Sequence, residues 1–168
     1  AYIDLPDSKP KQIKETAQPT KNRRLNNTQT YSKTYKYPIG TTISLNSADT
    51  TELKKIPKIG SYTASKICRY RERLGGFYTI KQLAEIDLEP AYFEKWFKID
   101  SQSVIKRDIN KLDFKELLRH PYMSYEQVKT FFNYKRKHGD IRSFKQLQLL
   151  DNFEKSDLER LSIYFFCQ

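Results

Sequence analysis

Sliding the chain against itself by 64 positions lays residues 45–99 over residues 109–163 without a gap. Twelve of the 55 pairs are then identical, where about three are expected by chance. The identities are Asn46/Asn110, Asp49/Asp113, Glu52/Glu116, Leu53/Leu117, Pro57/Pro121, Tyr70/Tyr134, Gly75/Gly139, Lys81/Lys145, Gln82/Gln146, Leu83/Leu147, Asp87/Asp151 and Ile99/Ile163. They fall on caps, breakers and turn positions, where backbone geometry is decided. A repeat of this length in a chain of 168 residues implies two copies of one small unit. Composition agrees: only 38% of the residues are hydrophobic, which suits two small cores and a solvated segment better than one large core.

Each copy reads as a helical unit. Asp49-x-x-Glu52 and Asp113-x-x-Glu116 have the form of capping boxes with Asp in place of Ser or Thr, and they open short helices over about 49–55 and 113–119. Pro57 and Pro121 stop those helices. After a tight turn, longer helices run over 61–74 and 125–138, and Gly75 and Gly139 stand where left-handed C-caps belong. Thr79-x-x-Gln82 and Ser143-x-x-Gln146 open a third helix in each copy, and the last helices span about 90–98 and 155–163. No segment sustains period-2 alternation, so almost no strand is expected.

The helical spacing nominates the core. It comprises Leu53, Ile56, Ala64, Ile67, Cys68, Leu74, Phe77, Ile80, Leu83, Ile86, Phe93, Trp96 and Phe97 in the first copy. In the second it comprises Leu117, Leu118, Val128, Phe131, Phe132, Ile141, Phe144, Leu147, Leu150, Leu158, Leu161 and Ile163. Tyr164, Phe165 and Phe166 are expected to dock onto the second copy.

Residues 1–36 lack this periodicity. Lys, Thr, Gln, Asn and Pro dominate them, a composition that buries too little apolar surface to offset its ordering entropy. They are read as a basic disordered linker, followed by a first unit over 37–106 and a second over 107–168. The spread of the linker's charges favours a tether over a nucleic-acid or lipid arm. The whole chain carries a net charge of +11, a sign that suits polyanionic partners. It opens on Ala1 without Met, compatible with a trimmed fragment and a removed signal or anchor. No run approaches a membrane span.

Leu53-Lys54-Lys55-Ile56-Pro57-Lys58-Ile59-Gly60-Ser61-Tyr62-Thr63-Ala64-Ser65-Lys66-Ile67 resembles a helix-hairpin-helix motif. With Leu45–Asp49 before it and Tyr70–Arg73 after it, the segment is similar to ComEA-type DNA-binding domains of bacterial DNA-uptake proteins. The resemblance is specific over 45–74 and looser over the rest of 37–166. It implies an all-α fold of two tandem helix-hairpin-helix units, small helical bundles of the SAM or ComEA kind. It also implies binding of double-stranded DNA through its phosphate backbone, in a protein of DNA uptake or of the cell envelope, membrane-anchored at full length.

The physics of such a hairpin is an anion site. The second helix begins with backbone N–H groups that lack intrahelical acceptors, and its dipole adds positive potential there. Contacts of this kind read no base sequence. The expected site is Lys58, Ile59, Gly60, Ser61, Thr63, Lys66, Arg69 and Arg73. Tyr62, Lys66, Arg69 and Arg73 recur at i, i+4, i+7 and i+11 on one face of the long helix. Lys58 stands where the family has its first turn glycine. In the second copy the turn Tyr122-Met123-Ser124 has no glycine, and the matching stripe, Glu126, Thr130, Asn133 and Lys137, is nearly neutral. The second unit is therefore expected to be degenerate. The family's other hairpin reads Ile86-Asp87-Leu88-Glu89-Pro90 and Leu150-Asp151-Asn152-Phe153-Glu154, each without glycine and with two acids.

An enzyme is not expected, because no carboxylate cluster, activated nucleophile or phosphate-cradling loop is legible. No cofactor, metal or small-molecule substrate is expected either. Cys68 and His120 read as packing residues, and Asp87 and Asp151 as caps. The rival reading is a protein-interaction scaffold, which predicts an exposed apolar patch involving Tyr122, Met123 and Tyr125.

Overall fold

The computed structural model describes residues 35–100 and 103–168. Most of the linker expected over 1–36 lies outside them. The described residues are mostly helical with a few very short strands.

The first half runs β1 (Ile43–Ser44), α1 (Thr50–Leu53), α2 (Ser61–Leu74), a 3-10 helix (Ile80–Ile86), α3 (Pro90–Phe93) and β2 (Phe97–Lys98). The second half runs β3 (Arg107–Asp108), a 3-10 turn (Ile109–Lys111), α4 (Phe114–Arg119), α5 (Tyr125–His138), α6 (Phe144–Leu147), α7 (Lys155–Tyr164) and β4 (Phe165–Phe166). In each half the first strand pairs in parallel with the last, Ile43 opposite Phe97 and Arg107 opposite Phe165.

The two long helices have the expected limits. The helix expected over 90–98 is shorter, because Phe97 and Lys98 leave it to pair with β1. This corrects the ungapped alignment. Ile43 and Arg107 are 64 positions apart, but their partners Phe97 and Phe165 are 68 apart. The second half has four extra residues, one in the loop before α7 and three between the N-cap of α7 and β4. The Ile99/Ile163 identity is therefore not a structural equivalence, whereas Phe97 and Phe165 occupy matching strand positions.

The repeated asparagines have a clear task. Asn46 donates to Phe77 O at 2.8 Å and accepts from Phe77 N at 2.7 Å. Asn110 does the same with Ile141, at 2.8 and 3.0 Å. Each carboxamide acts as a strand rung, tying the start of its half to the loop after the long helix. That loop begins at Gly75, whose φ of +87° is left-handed and where an added Cβ would lie 3.3 Å from Ile105 O.

The buried apolar residues form one connected cluster rather than two separate cores. Most nominated residues are in it. Leu118 is exposed, and Cys68, Ile80, Phe132, Phe144, Leu150 and Ile163 are only partly buried. Tyr164 and Phe165 are buried as expected of the docked chain end, while Leu45, Ala48, Ile59, Ile109, Leu112, Met123 and Phe153 were not nominated and are buried, mostly from turns and strands where helical spacing says nothing.

Polar groups join the halves. Gln82 donates 2.7 Å hydrogen bonds to the hydroxyls of both Tyr122 and Tyr164, and Tyr122 donates to Glu85 at 2.8 Å. His120 Nε2 lies 3.2 Å from Leu74 O, and its Nδ1 accepts from Tyr122 N. This is the neutral imidazole with Nε2 protonated. Its ring packs among Tyr122, Tyr164 and Phe165. Burial, with the nearby Arg107 and Arg73 charges, holds its pKa down to about 4.

Candidate nucleic-acid interface

The candidate site is the α1–turn–α2 hairpin. Asp49 caps α1 by accepting from Glu52 N at 2.7 Å. That helix ends at Leu53, shorter than the expected 49–55 and ahead of Pro57, and Ile56 and Ile59 close the turn with backbone bonds to Leu53 O and Ile56 O. Lys58, in place of a glycine, takes φ +66°. A left-handed backbone costs a side-chain-bearing residue about 1–2 kcal/mol, so the turn keeps its geometry at that expense. The Lys58 ammonium sits 4.0 Å above the Tyr92 ring, a cation–π contact that partly offsets the strain.

Lys36 braces the turn from outside. Its Nζ donates to Lys54 O, Ile56 O and Ile59 O at 2.6, 3.1 and 3.0 Å. One ammonium thus collects three carbonyls around the short hairpin, of which Ile56 O also accepts from Ile59 N. The linker reading placed Lys36 in a solvated tether. It lies 18 to 23 residues from the carbonyls it holds, and no local pattern reveals that contact.

Gly60 is the N-cap of α2, and no side-chain cap bond closes that helix start. Backbone bonding along it begins with Ala64 N to Gly60 O. The N–H groups of Ser61, Tyr62 and Thr63 face outward on an exposed turn. Gly60 has an ordinary extended backbone, φ −101°, and an added Cβ would meet nothing within 4 Å. The fold itself therefore makes no demand for glycine here. What glycine leaves clear is the approach to those N–H groups from outside.

The second half is the contrast. At the same place before α5, Ser124 accepts from Gln127 N and Gln127 Oε1 accepts from Ser124 N, a complete capping box. Its own side chains occupy the position that an anion would take at α2.

The other expected residues sort as follows. Ser61 is exposed at the mouth of the turn and Thr63 half-exposed. Ile59 is 1% exposed, its N–H bonds Ile56 O and its carbonyl holds Lys36, so it has no group to offer a ligand. Lys66 is paired with Asp87 at 2.7 Å. Asp87 stands in a left-handed turn, φ +59°, and the Lys66 ammonium holds its carboxyl below the usual carboxylate range. Arg69 is exposed and bonds only its own helix, at Ser65 O. Arg73 is exposed and donates from Nε to Arg119 O. Tyr62, 74% exposed, lies on the same face.

Residues 39–96 match the family model of the helix-hairpin-helix motif. That motif is generally associated with nucleic-acid binding. The matched stretch holds the helix-hairpin-helix turn and all expected contacts from Lys58 to Arg73. No curated protein and no solved structure matches the chain. No helix among the described residues is long and apolar enough to cross a membrane.

Proposed function

We propose that the helix-hairpin-helix segment binds double-stranded DNA without sequence preference, seating one backbone phosphate at the N-terminus of α2 and others along Lys66, Arg69 and Arg73. The observation that carries this reading is the uncapped, glycine-cleared start of α2, beside a second long helix whose start is capped by its own Ser124. Phosphate contacts position a duplex but do not read its bases.

The recurrence of the asparagine rungs, the Asp caps and the strand pairing supports reading the second half as a second, degenerate unit. The resemblance of residues 45–74 to ComEA-type domains supports a role in DNA uptake or at the envelope. Of the patch that the scaffold reading expects, Met123 is 5% exposed and the Tyr122 hydroxyl is engaged by Gln82 and Glu85, while Tyr125 is 55% exposed.

The test is fluorescence anisotropy of a labelled duplex of about twenty base pairs across a salt series. With Lys66 held by Asp87, the two contacts Arg69 and Arg73 predict a log–log slope of about −2. Lys66→Gln/Arg69→Gln lowers affinity about tenfold or more and flattens the slope. Lys137→Gln/Arg142→Gln, with the same change in net charge, leaves both nearly intact. Equal losses in the two variants would mean unspecific attraction to a basic protein. No binding by the unsubstituted chain at low salt would end the DNA reading.

A further inference from the structure

Where the last turn of α2 meets α4 there is a polar cavity of about 210 Å³, lined by Glu72, Arg73, Arg107, Glu116 and Arg119. Arg73 Nε donates to the Arg119 carbonyl at 3.0 Å, which fixes the two helix ends against each other. Among the ion pairs of the described residues, none involves these three arginines, although two carboxylates share their cavity. The Arg107 guanidinium lies 5.8 Å from the Phe165 ring centre, and Glu116 Oε2 accepts from Asp113 N within the α4 cap. Three guanidinium forks therefore converge with most of their donors unused. Their mutual repulsion is only partly offset by Glu72 and Glu116, leaving a formal local charge of +1. Such forks match the geometry of a phosphate group.

The cavity also continues the binding face. Arg73 is the last member of the α2 stripe, eleven positions after Tyr62, a rise of about 16 Å.

We propose that Arg73, Arg107 and Arg119 form a second phosphate site, which holds a backbone phosphodiester at the far end of α2 from the one at the hairpin. The proposal rests on the DNA reading above. A singly charged diester matches the local charge, whereas a doubly charged terminal or inorganic phosphate would leave an excess negative charge beside Glu72 and Glu116. The second half, whose own hairpin is capped, thus supplies two of the three arginines. The Arg107 and Arg73 charges already reach the buried His120, where they add to the effect of burial, so their field converges at this junction.

The test adds Arg107→Gln/Arg119→Gln to the same titrations, since it changes net charge as much as the other two variants do. The Arg73 bond goes to a backbone carbonyl and survives the substitution. The expected result is an affinity loss of about tenfold and a salt slope flatter by one to two units. Duplexes with and without a 5′-phosphate should bind alike, and inorganic phosphate at millimolar concentration should not compete. A loss in Lys66→Gln/Arg69→Gln with none in Arg107→Gln/Arg119→Gln would overturn the second site and leave the hairpin reading standing. A preference for 5′-phosphorylated ends that the arginine variant abolishes would overturn the diester in favour of a terminal phosphate. A measurement on the unsubstituted chain guards against misfolding: the Nε–Hε resonances of Arg107 and Arg119 should shift on adding duplex. Unmoved resonances under saturating duplex would refute the site.

Discussion

Gly60 and Asp87 are the two residues whose local rules conflict most with a purely structural role. Gly60 has a backbone that any residue adopts and open space at its Cβ position. Replacing it by Ala should leave the fold intact with little net change in stability, because the gain of about 0.4–1 kcal/mol from restricting the unfolded chain is offset by Ala being the poorer N-cap. The same methyl should weaken duplex binding several-fold by standing in front of the α2 N–H groups. Thermal melts and anisotropy on Gly60→Ala check both halves of that expectation, and a variant that binds normally would show that glycine clears nothing. Asp87 neutralises Lys66 on the binding face. Asp87→Asn keeps a residue that tolerates the left-handed turn and frees the ammonium. Duplex affinity should rise and the salt slope steepen by about one unit. Slopes of the two proteins measured side by side decide it.

At the scale of elements, the caps decide which helix start is open. The Ser124 capping box closes α5. Ser124→Ala should cost about 1 kcal/mol of stability, read from the denaturation midpoint, with no change in DNA binding. The hairpin itself depends on Lys36, which reaches back to three carbonyls around the turn. Lys36→Met keeps the stem and removes the donor. Stability should fall by about 1–2 kcal/mol, and duplex affinity should fall with it because the turn loosens. Helix limits were largely legible from the sequence, since caps, prolines and glycines act within a few residues. The end of α3 was not. Whether Phe97 continues a helix or joins β1 is set by Ile43, more than fifty positions earlier.

At the scale of the whole molecule, the junction of the two halves carries a pH dependence. His120 is held to about 4, against an ordinary 6.5. Between those values the unfolded chain binds a proton that the folded chain excludes, so stability rises with pH across the window. It is constant above pH 6.5 on this account and falls as pH drops toward 4, by roughly 3 kcal/mol in full. The Asp87 contribution lies below its ordinary 3.8 and is lost at still lower pH, so the two windows separate. Chemical denaturation at a series of pH values should show the loss, and His120→Gln should flatten it between 4 and 6.5. The same residue was legible as packing, yet its partners Leu74, Tyr164 and Phe165 were not, since they lie 44 to 46 positions away.

By itself the sequence determined the two long helices with their stops, most of the core and the cationic stripe on α2. These follow from spacing, capping and burial preference, which act over one or two helical turns. Only the tertiary structure decided that the two cores merge, that Lys66 is paired while Arg69 is free, that Lys36 braces the turn, and that Arg107 and Arg119 close on Arg73. Each of these is a contact between segments far apart in sequence, whose meeting depends on how the helices pack and not on the residues beside them.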